Sequence, residues 1–230
     1  MKIYGLQKMT LLDYPGKVAC TVFTGGCNFR CPFCHNAGLV ESEADADTMS
    51  EEEFLAFLQG RKGLLDGVAV TGGEPLMQPD LPRLLRGIKE LGFAVKLDTN
   101  GSYPEKLQAV VAEGLVDRVA MDIKNCPDAY GETAGINDLD LTPVRQSVDF
   151  LLQGRVDYEF RTTVVSPFHT VKRIAAAAAW IQGAKAYFLQ NFVDSGHLLG
   201  TGISGVSEEE MHAMLEAARQ FVPQTQLRGL

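Results

Sequence analysis

Val18-Ala19-Cys20-Thr21-Val22-Phe23-Thr24-Gly25-Gly26-Cys27-Asn28-Phe29-Arg30-Cys31-Pro32-Phe33-Cys34-His35-Asn36 is the stretch from which the rest of the chain is read. Its first six residues are apolar and largely β-branched, and read as a strand. A loop follows with Cys27, Cys31 and Cys34 at C-x3-C-x2-C spacing. Three thiolates on one short loop can each hold one metal corner. Iron–sulfur cubes normally take four thiolates. No fourth cysteine follows in the loop, so a cube held there keeps one iron open. Open metal positions are where chemistry happens, as the contrast between closed structural and open catalytic zinc sites shows. The competing reading is a structural Cys3His zinc knuckle made by Cys27, Cys31, Cys34 and His35.

Outward from this loop the chain repeats one phrase: short strand, turn, amphipathic helix. After Val18–Phe23, the strands expected are Gly67–Thr71, Phe93–Asp98, Arg118–Asp122, Tyr158–Val165 and Ala186–Asn191. Between them, Ser50 with Glu53 reads as a capping box, as do Ser102 with Glu105 and Ser207 with Glu210. Asp80 or a neighbour caps a helix from Leu81 to Leu91; Thr142-Pro143 opens another through Leu152, and Lys172–Ile181 is an alanine-rich third. Strands alternating with helices predict an α/β fold with a parallel sheet covered by helices. Six βα units are too few for a closed eight-strand barrel. The expectation is therefore an open, partial (β/α)6 barrel forming a single domain over residues 1–230. Glu41–Thr48 reads as an acidic surface loop and Asp194–Val206 as a glycine-rich mobile one.

The totals narrow the function classes. The chain has 230 residues, 46% of them hydrophobic, enough for one compact domain. A net charge of −8 and the lack of a long Lys/Arg block disfavour nucleic acid. The longest strictly apolar run, Ile174 to Ile181, is too short to span a bilayer, and Met1-Lys2-Ile3-Tyr4-Gly5 has no signal-peptide core. A cytoplasmic protein is expected. An odd cysteine count with three in one loop is no disulfide framework. Cys20 reads as a small buried hydrophobe; Cys126, after Asn125 in a later loop, reads as a free thiol, with a fourth cluster ligand as the alternative.

In parallel sheets, ligands sit at the C-terminal ends of strands. Here those ends carry Gly25-Gly26-Cys27, Thr71-Gly72-Gly73-Glu74-Pro75, Asp98-Thr99-Asn100-Gly101 and Asp122-Ile123-Lys124. Gly72 and Gly73 let a ligand approach the backbone. Asp98 and Asp122 can reach one cation or polar ligand, or stabilise turns. Lys124 lies on the Asp122 face and can meet an anionic group. Arg161 reads equally well as an interior residue paired with an acid and as a surface one.

The cysteine spacing, with aromatic Phe33 before the third cysteine, resembles the signature of radical S-adenosylmethionine enzymes. Gly72-Gly73-Glu74-Pro75 resembles that family's second motif. The lead-in Leu12-Asp13-Tyr14-Pro15-Gly16-Lys17, with Phe23 to Asn36, is similar to the activating proteins of glycyl radical enzymes, and among them those of anaerobic ribonucleoside-triphosphate reductase. The resemblance covers nearly the whole chain. It implies that Cys27, Cys31 and Cys34 bind a [4Fe–4S] cluster whose open iron chelates S-adenosylmethionine. Phe33 would lie by the adenine, and Gly72, Gly73 and Glu74 would hold the methionine amino end, largely through backbone. Lys124 would meet the carboxylate, and His35, Asn100, Asp98 and Asp122 would belong to the same cofactor site. Residues matching Asp98, Thr99, Asp122 and the backbone of Met121 would bind a monovalent cation. The histidine that such activases carry after the last strand is missing; Gln190 or Asn191 stands there.

The implied activity is reductive cleavage of S-adenosylmethionine to a 5′-deoxyadenosyl radical, which takes hydrogen from a glycine of a partner enzyme. Anaerobic ribonucleotide reductase is the partner implied, and flavodoxin or ferredoxin the electron donor. The rival readings are a radical S-adenosylmethionine enzyme acting on a small molecule, such as a 7-deazaguanine-forming synthase, and a zinc-stabilised binding module.

Overall fold

The computed structural model describes residues 1–40, 48–194, 196 and 198–229. In chain order the elements are β1 (Lys2–Ile3), β2 (Gly5–Thr10), β3 (Ala19–Thr24), α1 (Ala37–Val40), β4 (Met49–Ser50), α2 (Glu51–Gln59), β5 (Gly67–Gly72), α3 (Leu81–Glu90), β6 (Ala94–Thr99) and α4 (Pro104–Ala112). They continue as β7 (Arg118–Asp122), α5 (Tyr130–Ala134), α6 (Thr142–Leu152), β8 (Asp157–Val164), α7 (Val171–Trp180), β9 (Tyr187–Asn191), α8 (Glu208–Arg219) and β10 (Thr225–Arg228). The expected loop over 41–48 lies outside the described residues save Thr48.

The main sheet has eight strands in the order β10-β9-β8-β7-β6-β5-β3-β2. All neighbours pair in parallel except β2, which returns antiparallel to β3. The fold class is as expected from sequence. The sheet is wider than the six strands anticipated, because β2 and β10 add one strand to each edge. In a flat sheet, β2 and β9 would stand roughly 30 Å apart. Yet Gln7 of β2 and Gln190 of β9 line one cavity, so the sheet curls into a trough. β2 and β10 do not pair, which leaves the barrel open on that side.

The capping boxes at Ser50/Glu53 and Ser207/Glu210 are both formed. The one expected at Ser102/Glu105 is not: α4 starts at Pro104, and the Ser102 hydroxyl and N–H instead donate to Asn100 Oδ1. Asp80 makes no side-chain cap on α3; its carboxylate lies 3.6 Å from Arg83.

The outer face packs Val68, Val70, Val95, Leu97, Val119 and Phe160 under the helices, all fully buried. The inner face is charged. By strand alternation, Arg118, Ala120 and Asp122 of β7 and Glu159, Arg161 and Thr163 of β8 point inward. Deep in the trough, Glu159 accepts from Arg118 at 2.6 Å and from Arg228 at 2.7 Å. Burial alone would raise its carboxyl; the bonds from Arg228 and Arg118 outweigh it and hold the pKa down to about 2. Tyr14, 4% exposed, closes the lower end against Gly67, where a Cβ would meet its ring at 3.1 Å. Among the described residues no helix is long and apolar enough to cross a membrane.

Candidate active site

The cysteine loop leaves the top of β3 and is anchored on three sides. Gly26 N–H donates to Leu39 O at 2.7 Å beside α1, Arg30 N–H to Ala134 O at 2.9 Å at the end of α5, and Gly200 N–H to Pro32 O at 2.8 Å. Cys27, Cys31 and Cys34 all line one cavity of about 360 Å³ at the C-terminal ends of the strands. Cys20 and Cys126 are buried elsewhere. The Cys27 sulfur accepts the Phe29 N–H at 3.4 Å and lies 3.9 Å from Asn100 Nδ2. Burial pushes the Cys31 thiol up to about 11, against the pull of Lys124, and raises Cys27 as well. As bare thiols these groups are protonated at neutral pH, and metal coordination ionises them.

Phe33 is buried and lies 6.1 Å from the ring of Phe168, with one side on the cavity. His35 stacks on Phe192 at 5.0 Å and 7°, and its Nε2 stands 2.8 Å from Val193 O. The ring therefore ties the cysteine loop to the segment after β9. Among the described residues, no three His, Cys, Asp or Glu side chains converge as ligands of a single ion do.

Gly72 and Gly73 are glycines for a reason internal to the chain. Gly72 has φ +121°, and a Cβ on Gly73 would stand 1.9 Å from Gly26 O. Two strand-end loops touch here backbone to backbone: Gly73 N–H donates to Thr24 O at 2.9 Å and Glu74 N–H to Gly26 O at 2.8 Å. The Glu74 side chain, 0% exposed, turns away from the cavity. Its Oε1 accepts Leu76 N–H at 3.0 Å and the Thr99 hydroxyl at 2.9 Å, and its Oε2 accepts Asn100 N–H at 2.7 Å. Burial pushes this carboxyl up to about 7, against those three donors. Glu74 thus clamps the β5 end to the β6 end, a role that its motif position alone does not reveal.

Asp98, Thr99, Asn100, Asp122 and Lys124 all line the cavity. Asp98 and Asp122, two residues expected around a monovalent cation, both bond the guanidinium of Arg161, which resolves that residue to the interior. The Thr99 hydroxyl is spent on Glu74, and the Met121 side chain packs under Gly101. Lys124 donates to Asp122 Oδ2 at 2.9 Å. Burial would raise Asp122; Lys124 and Arg161 outweigh it and hold the carboxyl well below the usual range.

Of the two candidates for the missing histidine, Asn191 is used structurally. It bonds Val206 N at 3.0 Å and Val206 O at 2.8 Å, latching the following loop. Gln190 lines the cavity. His169 was not signalled by sequence, being a lone histidine in a loop. It is 4% exposed, accepts Val165 N–H through Nδ1 at 3.0 Å and donates Nε2–H to Lys124 O at 2.8 Å. It holds the backbone that presents Lys124.

The sequence profile of the Radical SAM superfamily matches residues 21–154, which includes the three cysteines and both glycine-bearing strand ends. The chain belongs to the radical SAM superfamily. A protein of Methanocaldococcus jannaschii, named as a candidate glycyl-radical enzyme activating enzyme, is 32% identical over 197 residues, covering 83% of this chain and 79% of that one. The pyruvate formate-lyase-activating enzyme of Clostridium pasteurianum is 35% identical over 136 residues, covering 55% of this chain and 54% of that enzyme. Streptococcus suis SuiB, solved bound to S-adenosylmethionine, aligns with a TM-score of 0.70 at 12% identity over 90% of this chain; the chain spans 49% of SuiB. Membership implies a [4Fe–4S] cluster and S-adenosylmethionine as cofactors. The residues fit them: three thiols from one loop face one cavity, and a backbone N–H is directed at one of the sulfurs.

Proposed function

We propose that this chain is a glycyl radical enzyme activating enzyme. The observation that carries the reading is the open trough. The cysteine-lined cavity is bounded by Gln7 of the edge strand β2 and Gln190 of β9, and the sheet is unclosed between β2 and β10. A loop of a folded protein can reach the site through that gap. The likeness to two proteins named as activating enzymes supports the same reading.

Cys27, Cys31 and Cys34 would hold the cluster. Backbone groups of Gly72 and Gly73 and the ammonium of Lys124 would take the amino-acid end of S-adenosylmethionine, with Phe33 walling the other end. When bound, this pair supplies one-electron cleavage of a C–S bond and abstraction of a hydrogen atom from a backbone glycine. The chain orients the reactants and excludes water with its buried walls. The partner we favour is an anaerobic ribonucleotide reductase, with flavodoxin or ferredoxin as donor, on sequence resemblance.

The test is anaerobic incubation of reduced, cluster-loaded protein and S-adenosylmethionine with candidate glycyl radical enzymes, read by electron paramagnetic resonance. A glycine-centred doublet with the reductase alone supports the reading in full. A doublet with another candidate reassigns the partner. Cleavage of S-adenosylmethionine with no doublet for any candidate favours a small-molecule substrate.

A further inference from the structure

Arg161 has a geometry that cofactor binding by itself does not require. It stands on β8 beside Asp122 of β7, its register partner, and donates Nε and Nη2 to Asp122 Oδ1 at 3.1 and 3.0 Å. Its Nη1 reaches Asp98 Oδ2 at 3.2 Å, on β6, one strand beyond. The guanidinium therefore crosses the whole width of β7. It can do so because Ala120, in register with both Asp98 and Glu159, offers only a methyl. Each carboxylate has one more cation on its far oxygen: Lys96 Nζ at 2.6 Å from Asp98 Oδ1, and Lys124 Nζ at 2.9 Å from Asp122 Oδ2. Lys96 is 1% exposed, so its ammonium is committed to this line.

Lys96 and Lys124 each neutralise one carboxylate from its outer oxygen, which leaves Asp98 Oδ2 and Asp122 Oδ1 facing each other across β7 with Arg161 as the positive charge between them; without it those two oxygens repel. A planar guanidinium can bond both at once, which an ammonium at the end of a flexible stem does less well. We propose that Arg161 is the cavity's built-in counter-cation. It occupies, as part of the chain, the point between Asp98 and Asp122 where a dissociable cation would otherwise be recruited, and so fixes the Asp122–Lys124 pair that faces the cofactor cavity. Arg161 is in this sense a positioning residue. Its effect on the reaction runs through Lys124.

The test uses the cluster-free chain, so its outcome stands apart from the glycyl radical reading. Melting midpoints of wild type, R161A and R161K are compared at equal ionic strength in tetramethylammonium, potassium, magnesium and methylguanidinium chlorides. Wild type and R161K, which keep the charge, are expected to melt alike in all four. R161A is expected to melt lower in tetramethylammonium and to regain about 2–4 °C in potassium or methylguanidinium. If R161A does not fold in tetramethylammonium, refolding yield is read in the same salts: recovery in potassium or methylguanidinium supports the proposal, and equal failure in all overturns it. A folded R161A that responds to no cation overturns it. So does a wild-type midpoint that rises with potassium or magnesium, because the cavity would then take a dissociable ion beside Arg161.

Discussion

Gly73→Ala is the substitution whose effect follows most directly from the structure. The added Cβ would stand 1.9 Å from Gly26 O and 2.5 Å from Gly26 C, both backbone atoms that no rotamer change can move. Ordinary contact needs about 3.5 Å, so the β5 end and the cysteine loop must part by about 1.5 Å. That breaks Gly73 N–H to Thr24 O and Glu74 N–H to Gly26 O. Two such bonds contribute about 2 kcal/mol and the forced overpacking about 1–3 kcal/mol, for a loss of about 3–5 kcal/mol. In a domain of this size the melting midpoint should fall by about 6–20 °C. Because the displaced loop carries the cysteines, iron retained after anaerobic reconstitution should fall with it. Gly38→Ala is the control, since its Cβ would meet nothing within 4 Å. If G73A melts within about 2 °C of G38A and holds the same iron, the backbone contact is not what makes that position glycine.

Other predictions concern charge and the cofactor. Glu159 has a folded pKa of about 2 against an ordinary 4.5. Its contribution is complete above about pH 4.5, is lost as pH falls through about 2, and amounts to about 3 kcal/mol. E159Q should lack that acid-side loss in melts of the cluster-free chain; an unchanged acid limb would contradict the assignment. Lys124→Met removes the ammonium facing the cavity, and should weaken S-adenosylmethionine binding to the cluster-loaded protein by about 10–100-fold. Equal calorimetric affinities for wild type and K124M would remove Lys124 from that site.

The strands that carry the site were legible because each is a short, largely apolar run ending in a distinctive turn, as at Thr71-Gly72-Gly73 and Asp98-Thr99-Asn100. The edges were not. β2 (Gly-Leu-Gln-Lys-Met-Thr) and β10 (Thr-Gln-Leu-Arg) each lack a neighbour on one side, so neither needs the apolar run that marks a central strand. The cysteine loop declared itself because its chemistry is local. Glu74, Asn191 and His169 did not, because their roles exist only once distant loops meet. Glu74 sits in a motif suggesting ligand contact, but its carboxylate is consumed by Thr99, Asn100 and Leu76. The false capping box at Ser102 failed for a related reason: Asn100 two residues earlier offers a closer acceptor. Arg161 was ambiguous because its apolar neighbours fit either orientation. Three hydrogen bonds, two to β7 beside it and one to β6 beyond, decide it.

The central claim is that three thiolates of one loop hold an iron–sulfur cube whose remaining iron is free to bind and cleave S-adenosylmethionine. The most direct test is metal analysis with product quantification on anaerobically reconstituted, reduced wild type and C31A. The account predicts about four irons per wild-type chain, with 5′-deoxyadenosine and methionine formed in equal amounts and neither formed by C31A. A colourless wild-type protein with one zinc and no cleavage, or a C31A variant that cleaves as well as wild type, would contradict it.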